Sequence, residues 1–149
     1  MERAPVSVSR SIELPVPVEE AWASLRDAEG LGRWLGDRVE LDVAPGAAGT
    51  VAEGDTVRQV VVTEVDEGRS IGLVWWDEAA PDEASLVTIA VTSADGGLGS
   101  QVTVTERLAG AASATVGGAS IGDLAAVEPA WDRRLQALVG ATALAPACV

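Results

Sequence analysis

The stretch RSIGLVWWD, residues 69–77, decides the fold of this chain. Its apolar residues Ile71, Leu73 and Trp75 alternate, and alternate side chains of a β-strand lie on the same face of the sheet. Trp76 then points to the opposite face. The pattern predicts a strand that places Trp75 on the covered, concave side of a sheet and Trp76 on the outer side.

Strand patterns and turn signals continue on both sides of this stretch. The dipeptide Glu67-Gly68 joins it to the strand before, and the turn sequence ADGG, residues 94–97, joins the two strands that come after it. The segments with a strand pattern are residues 6–14, 38–44, 49–55, 56–66, 84–93 and 98–108. Together these segments predict an antiparallel sheet of about six to seven strands.

Two short helices are predicted after the first strand. The first lies within residues 17–27, and its apolar residues recur at helical spacing: Val18, Ala21, Trp22 and Leu25. Residues 31–36 carry Trp34 and form the second, which Gly36 ends. These helices are expected to close one end of the sheet.

A longer amphipathic helix is predicted within residues 128–145. Trp131, Leu135 and Leu138 mark its apolar face, whereas its polar residues are expected to point away: Asp132, Arg133, Arg134 and Gln136. A single sheet has one apolar face to cover, and this helix is the long element able to cover it. The chain is therefore predicted to be one α+β domain, residues 1–149, in which a curved sheet grips a helix. The Gly- and Ala-rich residues 109–122 are expected to form a mobile connection before that helix.

Charge and composition exclude several classes of partner. The chain carries ten Arg, no Lys and 23 acidic residues, a net charge of −13, which disfavours nucleic acid and anionic membranes as partners. No apolar run is long enough for a membrane span, and the first residues lack the pattern of a secretory signal. Cys148 is the single cysteine and cannot form an internal disulfide, so a cytoplasmic location is expected.

The chain contains no His and no Tyr. This removes Ser-His and Cys-His nucleophile pairs, His-ligated zinc and the usual imidazole base. No phosphate-binding, dinucleotide-binding or Cys-x-x-Cys motif is found either, so we expect no cofactor and no metal. The absence of these residues and motifs favours a protein that is not an enzyme.

The residues 14–36, LPVPVEEAWASLRDAEGLGRWLG, resemble the opening of START-like (SRPBCC) domains. The similarity is greatest to the AHSA group, the relatives of heat-shock-protein ATPase activators, and it rests on five matching positions: Pro17, Trp22, Asp27, Glu29 and Trp34. VTEVDEGRSIGLVW, SLVTIAV, GSQVTVTERLAG and AWDRRLQAL resemble later strands and the terminal helix of the same group. One departure is Glu106, which stands where the group often has His at the end of the last strand.

The resemblance implies a helix-grip fold of the START-like, birch-pollen-allergen-like type, with a pocket between the sheet and the terminal helix. Three functions are compatible with it. The first is non-catalytic binding of a small hydrophobic or amphipathic molecule. The second is a polyketide cyclase or dehydratase, with Glu106 as general base and Arg10 stabilising an enolate. The third is a protein-binding module that acts as a chaperone cofactor.

The residues expected to contact a ligand lie on the inward faces of the predicted elements. They are Trp34, Leu73, Trp75, Val87, Ile89, Val104, Glu106, Trp131 and Leu135. Plain core packing is the competing interpretation for the aliphatic members, and it is about as strong as ligand contact for the three tryptophans. Trp76, on the outer face, is expected to lie under a neighbouring loop or to form a homodimer contact.

Arg10 and Glu106 are charged residues at inward positions. Alternation places Arg10 with Ile12 and Glu106 with Val104, where an unpaired charge costs several kcal/mol. Either they contact a polar group of a ligand, or they lie close enough to strand ends to reach water, which we favour. Glu64 joins them only if Val60 and Val62 point inward, which the run of three valines leaves open.

Overall fold

The strand Ser70–Asp77 lies at the centre of a seven-stranded antiparallel sheet. Ile71, Leu73 and Trp75 are buried on its concave face, and Trp76 is half-buried on the other face. The assignment of the two neighbouring tryptophans to opposite faces is therefore confirmed.

The computed structural model describes residues 7–80, 84–108 and 130–140. The elements in chain order are β1 (Ser7–Leu14), α1 (Val18–Trp22), α2 (Ala28–Leu31), β2 (Arg38–Glu40), β3 (Ala48–Glu53), β4 (Thr56–Asp66), β5 (Ser70–Asp77), β6 (Ser85–Ala94), β7 (Gly99–Leu108) and the helical residues 130–140, here α3. The predicted mobile connection at 109–122 and Cys148 lie outside the described residues.

The strand order is β1-β7-β6-β5-β4-β3-β2. Strands β2 to β7 follow one another as neighbours, and β7, the last strand, pairs with β1, the first, which precedes α1 and α2 in the chain. Each strand therefore contributes every second residue to one continuous concave face, and α3 packs on that face. The predicted α+β helix-grip fold is confirmed.

The core lies between the concave face and the helices. The buried residues of the central strands are Val60, Val62, Ile71, Leu73, Trp75, Val87, Ile89, Val91, Val102 and Val104. On α3, Trp131, Leu135 and Leu138 are buried, as the apolar face predicted. Because α3 covers the concave face of the sheet, the candidate site lies between the two.

The second helix begins and ends earlier than predicted. Asp27 is its N-cap, and the carboxylate accepts a hydrogen bond from the Gly30 amide at 2.8 Å, so the helix covers Ala28–Leu31 rather than residues 31–36. Trp34 follows in a turn, where its indole N–H donates to the Ser24 carbonyl at 2.9 Å. The predicted bounds were wrong because the Asp27 cap starts the helix at Ala28.

A β-bulge decides the orientation of Glu64. Val62 pairs with Leu73 but Glu64 pairs with Gly72, so Thr63 is an extra residue in β4. Val60 and Val62 do point inward, yet the extra residue places Glu64 on the outer face above Gly72, where it is exposed. Glu64 therefore does not join the charged residues of the concave face.

Candidate functional site

Glu106 lies inside the grip between the sheet and α3. Its side chain, on β7, is only 8% exposed. One carboxylate oxygen accepts a hydrogen bond from Trp75 Nε1 at 2.9 Å, and the other accepts from Trp131 Nε1 at 2.8 Å. The expectation that this charge reaches water is wrong, because two indole N–H groups satisfy it in the interior.

The same two tryptophans stack on each other. Their ring centroids are 5.7 Å apart and their planes differ by 18°. Trp75 belongs to β5 and Trp131 to α3, so the stack and the shared carboxylate join the helix to the middle of the sheet. Stacked aromatic pairs contribute about 0.5–1.5 kcal/mol beyond their buried area.

Arg134 is buried on the sheet side of α3. It is 4% exposed and binds Glu53 through two nitrogens, with Nε 3.1 Å from one carboxylate oxygen and Nη2 2.6 Å from the other. Its guanidinium also lies 4.5 Å from the Trp131 ring centroid and 5.3 Å from that of Trp75. The prediction that Arg134 points away from the core was therefore wrong.

Glu53 is the carboxylate on which three arginines converge. Arg58 Nη1 lies 3.3 Å from it, and Arg133 Nη2 lies 3.9 Å from it, in addition to Arg134. Burial raises the pKa of Glu53, but the hydrogen bond and charge of Arg134, and then the charge and hydrogen bond of Arg58, outweigh burial and hold the pKa below its ordinary value. Arg58 in turn lies 4.7 Å from the Trp75 ring centroid.

Arg10 does not join this network through the described contacts. Its Nε donates to Asp132 of α3 at 3.0 Å, with side-chain exposures of 36% and 58%. Arg10 thus lies on the concave face of β1, as predicted, and forms an ion pair across to the helix. It lies in the middle of β1 rather than at a strand end, and its charge is accommodated by the ion pair and by partial exposure.

A cavity of about 240 Å³ opens beside this network. Its lining comes from the turn after α2, the end of β3 and the exposed edge of α3: Arg33, Trp34, Gly36, Asp37, Glu53, Arg133, Arg134 and Ala137. A second, wider cleft of about 540 Å³ lies at the opposite end of the sheet, beside the β4–β5 turn and the start of α1. Among the described residues, the first cavity is lined by both the sheet and α3, and the lining of the second includes no residue of α3.

The predicted ligand contacts divide into three groups. Trp34 lines the 240 Å³ cavity. Trp75, Glu106 and Trp131 form the hydrogen-bonded network next to it. The aliphatic members are fully packed in the core: Leu73, Val87, Ile89, Val104 and Leu135. Contact of any of these residues with a ligand stays a prediction.

The profile of the family described as "Polyketide cyclase / dehydrase and lipid transport" matches residues 5–143. The chain belongs to this family. The resemblance to START-like domains is thereby confirmed, and the family description itself covers both catalysts and lipid carriers. A comparison with curated protein sequences finds no significant match to the chain.

Solved structures share the family fold at low sequence identity. DynU16, a protein of the dynemicin biosynthetic locus, is 20% identical with a TM-score of 0.74; the match covers 91% of this chain but 46% of DynU16. A Bacillus halodurans protein is 19% identical over 95% of this chain and 99% of its own, with a TM-score of 0.70. An HSP90 activator from Plasmodium falciparum is 22% identical over 68% of this chain and 72% of its own, with a TM-score of 0.56. At these identities the likeness is one of fold.

The described part of this family member carries neither a metal-ligand cluster nor a membrane-spanning helix. Within residues 7–80, 84–108 and 130–140, no three acidic or cysteine side chains gather in a group that could hold a metal ion. No helix in those same ranges has the length and hydropathy to span a membrane. The polar chemistry described here is that of carboxylates, guanidiniums and indoles.

The residues that the sequence interpretation missed are Glu53, Arg58 and Arg134. Each stands at an inward position of its element. Arg134 is three residues after Trp131, on the helical face that carries Leu135, and Glu53 is two residues after the buried Val51. Arg58 is likewise two residues before Val60. A search for oppositely charged residues at inward positions near element ends would have found all three.

Proposed function

We propose that this protein binds a small amphipathic molecule in the 240 Å³ cavity between α3 and the sheet, and releases it unchanged. The observation that carries the proposal is the cavity itself, which is bounded by Trp34 and Ala137 on its apolar side and by arginines and carboxylates on its polar side. Concave sites with apolar walls and a few placed polar groups are typical of small-molecule binding.

The size of the cavity restricts the ligand. Pockets for drug-sized ligands measure about 300–1,000 Å³, and this cavity is below that range. A single-ring or short-chain molecule fits, whereas a longer one would protrude through the mouth. The buried network of Trp75, Trp131 and Glu106 is connected to the cavity through Arg134, which lines it and lies over both indole rings.

The binding is proposed to be non-catalytic because the two candidate catalytic residues are engaged elsewhere. Both oxygens of Glu106 accept indole N–H groups, and the side chain is 8% exposed and is not among the residues that line the cavity. Arg10 is paired with Asp132 at 3.0 Å and is not among the residues that line the cavity. A polyketide cyclase or dehydratase using Glu106 as base would need its substrate to reach this buried carboxylate.

The test uses ligand-observed NMR with a panel of single-ring and short-chain amphiphiles, followed by mass spectrometry of the recovered probes. The variant Ala137→Trp fills the cavity from α3, and Gln136→Trp adds the same bulk at the neighbouring exposed position as a control. We expect Ala137→Trp alone to abolish binding. Equal binding by both variants would place the site elsewhere, and chemical conversion of a probe would overturn the non-catalytic half of the proposal.

A homodimer through the outer face is a separate proposal. Val61, Val74 and Leu86 are cross-strand neighbours on that face, and all three are half-buried, as is Trp76, two residues after Val74 on β5. Together they make an apolar patch in the middle of a sheet. Analytical ultracentrifugation of the protein and of Trp76→Glu tests it; a monomer at all concentrations for both would rule it out.

The chaperone-cofactor alternative is supported by fold likeness to the HSP90 activator alone. It predicts partner capture through the acidic surface, weakened by salt. A pull-down that is insensitive to salt and to surface charge reversal would count against it. For either function the proposed location is the cytoplasm.

A further inference from the structure

The lining of the 240 Å³ cavity is rich in positive charge. Within the part of the chain that the structure describes, three arginines line it: Arg33, Arg133 and Arg134. They face two carboxylates, Asp37 and Glu53. In a protein with a net charge of −13, this is a local excess of cations at the edge of a recess.

Both carboxylates in the lining already accept hydrogen bonds from the protein. Asp37 accepts the Gly54 amide at 2.7 Å, which fixes the β3–β4 hairpin. Glu53 accepts both nitrogens of Arg134 and one of Arg58. The lining carboxylates are therefore structural partners, and Arg134 is the cation that Glu53 holds most closely.

The other two arginines are held weakly by their carboxylates. Arg133 Nη2 is 3.9 Å from Glu53, and Arg33 Nη2 is 3.7 Å from Glu29, both too long for a hydrogen bond. Their side chains are 68% and 56% exposed. A guanidinium presents its donors in a planar fork that matches a carboxylate, so both arginines can bind an anion without first losing a strong ion pair.

We propose that the ligand of this cavity is a small organic carboxylate, whose head group is bound between Arg33 and Arg133 and whose apolar body lies against Trp34 and Ala137. The proposal rests on the binding function proposed above and specifies its ligand class. Arg33 comes from the turn after α2 and Arg133 from α3, so the two cations reach the same recess from different elements. The charge of the head group, rather than its shape, is then the main determinant of affinity.

The experiment compares phenylacetate with phenylacetamide, which has the same shape and no charge, by NMR titration at low ionic strength. We expect phenylacetate to bind at least tenfold more tightly to the unchanged protein. Arg133→Gln and Arg33→Gln should each weaken phenylacetate binding fivefold or more and leave phenylacetamide within twofold. Arg107→Gln removes the same charge from the exposed outer side of β7 and serves as the control.

The outcomes separate the two proposals. If phenylacetate and phenylacetamide bind equally and the two cavity variants change neither, the carboxylate proposal is wrong and the binding function stands. If all three arginine variants weaken phenylacetate equally, the attraction is that of overall charge, and the specific site is overturned. If neither probe nor the wider panel binds, the binding function itself fails. Circular dichroism of each variant is the check that it is folded.

Discussion

The indole rings of Trp75 and Trp131 stack 5.7 Å apart and donate their N–H groups to the two oxygens of one carboxylate, Glu106. Each ring therefore packs its apolar face against the other ring and donates its N–H group to Glu106, within the same group of three residues. Because the rings come from β5 and α3, the group fixes the position of the helix over the sheet. The interior next to the cavity is thus a specified polar network, which two arginine side chains also contact through the rings.

Glu106→Gln should lower the free energy of unfolding by about 2–4 kcal/mol. A carboxamide keeps the size of the side chain but has one acceptor oxygen, so its NH₂ group must face an indole N–H and one donor is left unsatisfied. Urea unfolding at pH 7, followed by tryptophan fluorescence, measures the change. Glu13→Gln, on the exposed outer face of β1, is the control and should change stability by less than about 0.5 kcal/mol. Equal stability of Glu106→Gln and the unchanged protein would show that the two hydrogen bonds contribute nothing.

Glu53→Gln should destabilise the protein at neutral pH and lose its effect in acid. Breaking a buried pair by removing one partner typically costs about 3–5 kcal/mol, and the 4% exposed Arg134 would be left without its carboxylate. Since the pKa of Glu53 in the folded protein lies below the ordinary value of 4.5, its stabilising contribution is complete above that value. The contribution is lost as the pH falls through the folded pKa, because protonated Glu53 then resembles Gln.

The measurement is the difference in unfolding free energy between Glu53→Gln and the unchanged protein at a series of pH values from neutral to acid. Taking the difference cancels the other carboxylates that titrate in the same range. The difference should be constant above the ordinary pKa and shrink below it. A difference that stays the same throughout the acid range would contradict the assigned role of Glu53.

The fold could be predicted from the sequence because alternation in β5 and its neighbours assigns each residue to a face. The same rule placed Glu106 and Arg10 on the concave side. It could not place Glu64, because the extra residue Thr63 in β4 reverses the alternation directly after the run of valines at 60–62. Strand register depends on how two strands pair, so the sequence of one strand does not determine it.

The candidate site was predicted only in part, for a different reason. Trp75, Trp131 and Glu106 were expected inside the grip, but Arg134 was assigned to solvent because of its charge. Burial of a guanidinium depends on a partner, and its partner Glu53 is 81 residues away in the chain. Local pattern gives the position of Arg134 on the helix, while its burial follows from a long-range pair that only the fold brings together.

The ion pair between Arg10 and Asp132 should contribute little to stability. Its atoms are 3.0 Å apart, but the side chains are well exposed, and exposed pairs contribute about 0.2–1 kcal/mol. A double-mutant cycle with Arg10→Gln and Asp132→Asn isolates this pair from the other interactions of Arg10. We expect a coupling energy below about 1 kcal/mol. A larger value would mean that the pair is a structural link between β1 and α3, comparable to the buried network.

Trp22 and Trp34 should respond differently to replacement by Phe. Both are buried at similar exposure, so the loss of apolar volume is matched. The Trp34 N–H donates to the Ser24 carbonyl, whereas within the described ranges Trp22 Nε1 is buried without a hydrogen-bond partner. Trp34→Phe removes an N–H group that donates a hydrogen bond to a buried carbonyl. Trp22→Phe removes an N–H group that has no hydrogen-bond partner, so its burial costs free energy in the unchanged protein. Trp34→Phe should therefore be more destabilising by about 1–3 kcal/mol in urea unfolding at pH 7. If Trp22→Phe costs as much or more, the Trp22 N–H is satisfied in solution, and amide and indole hydrogen exchange would identify it as protected.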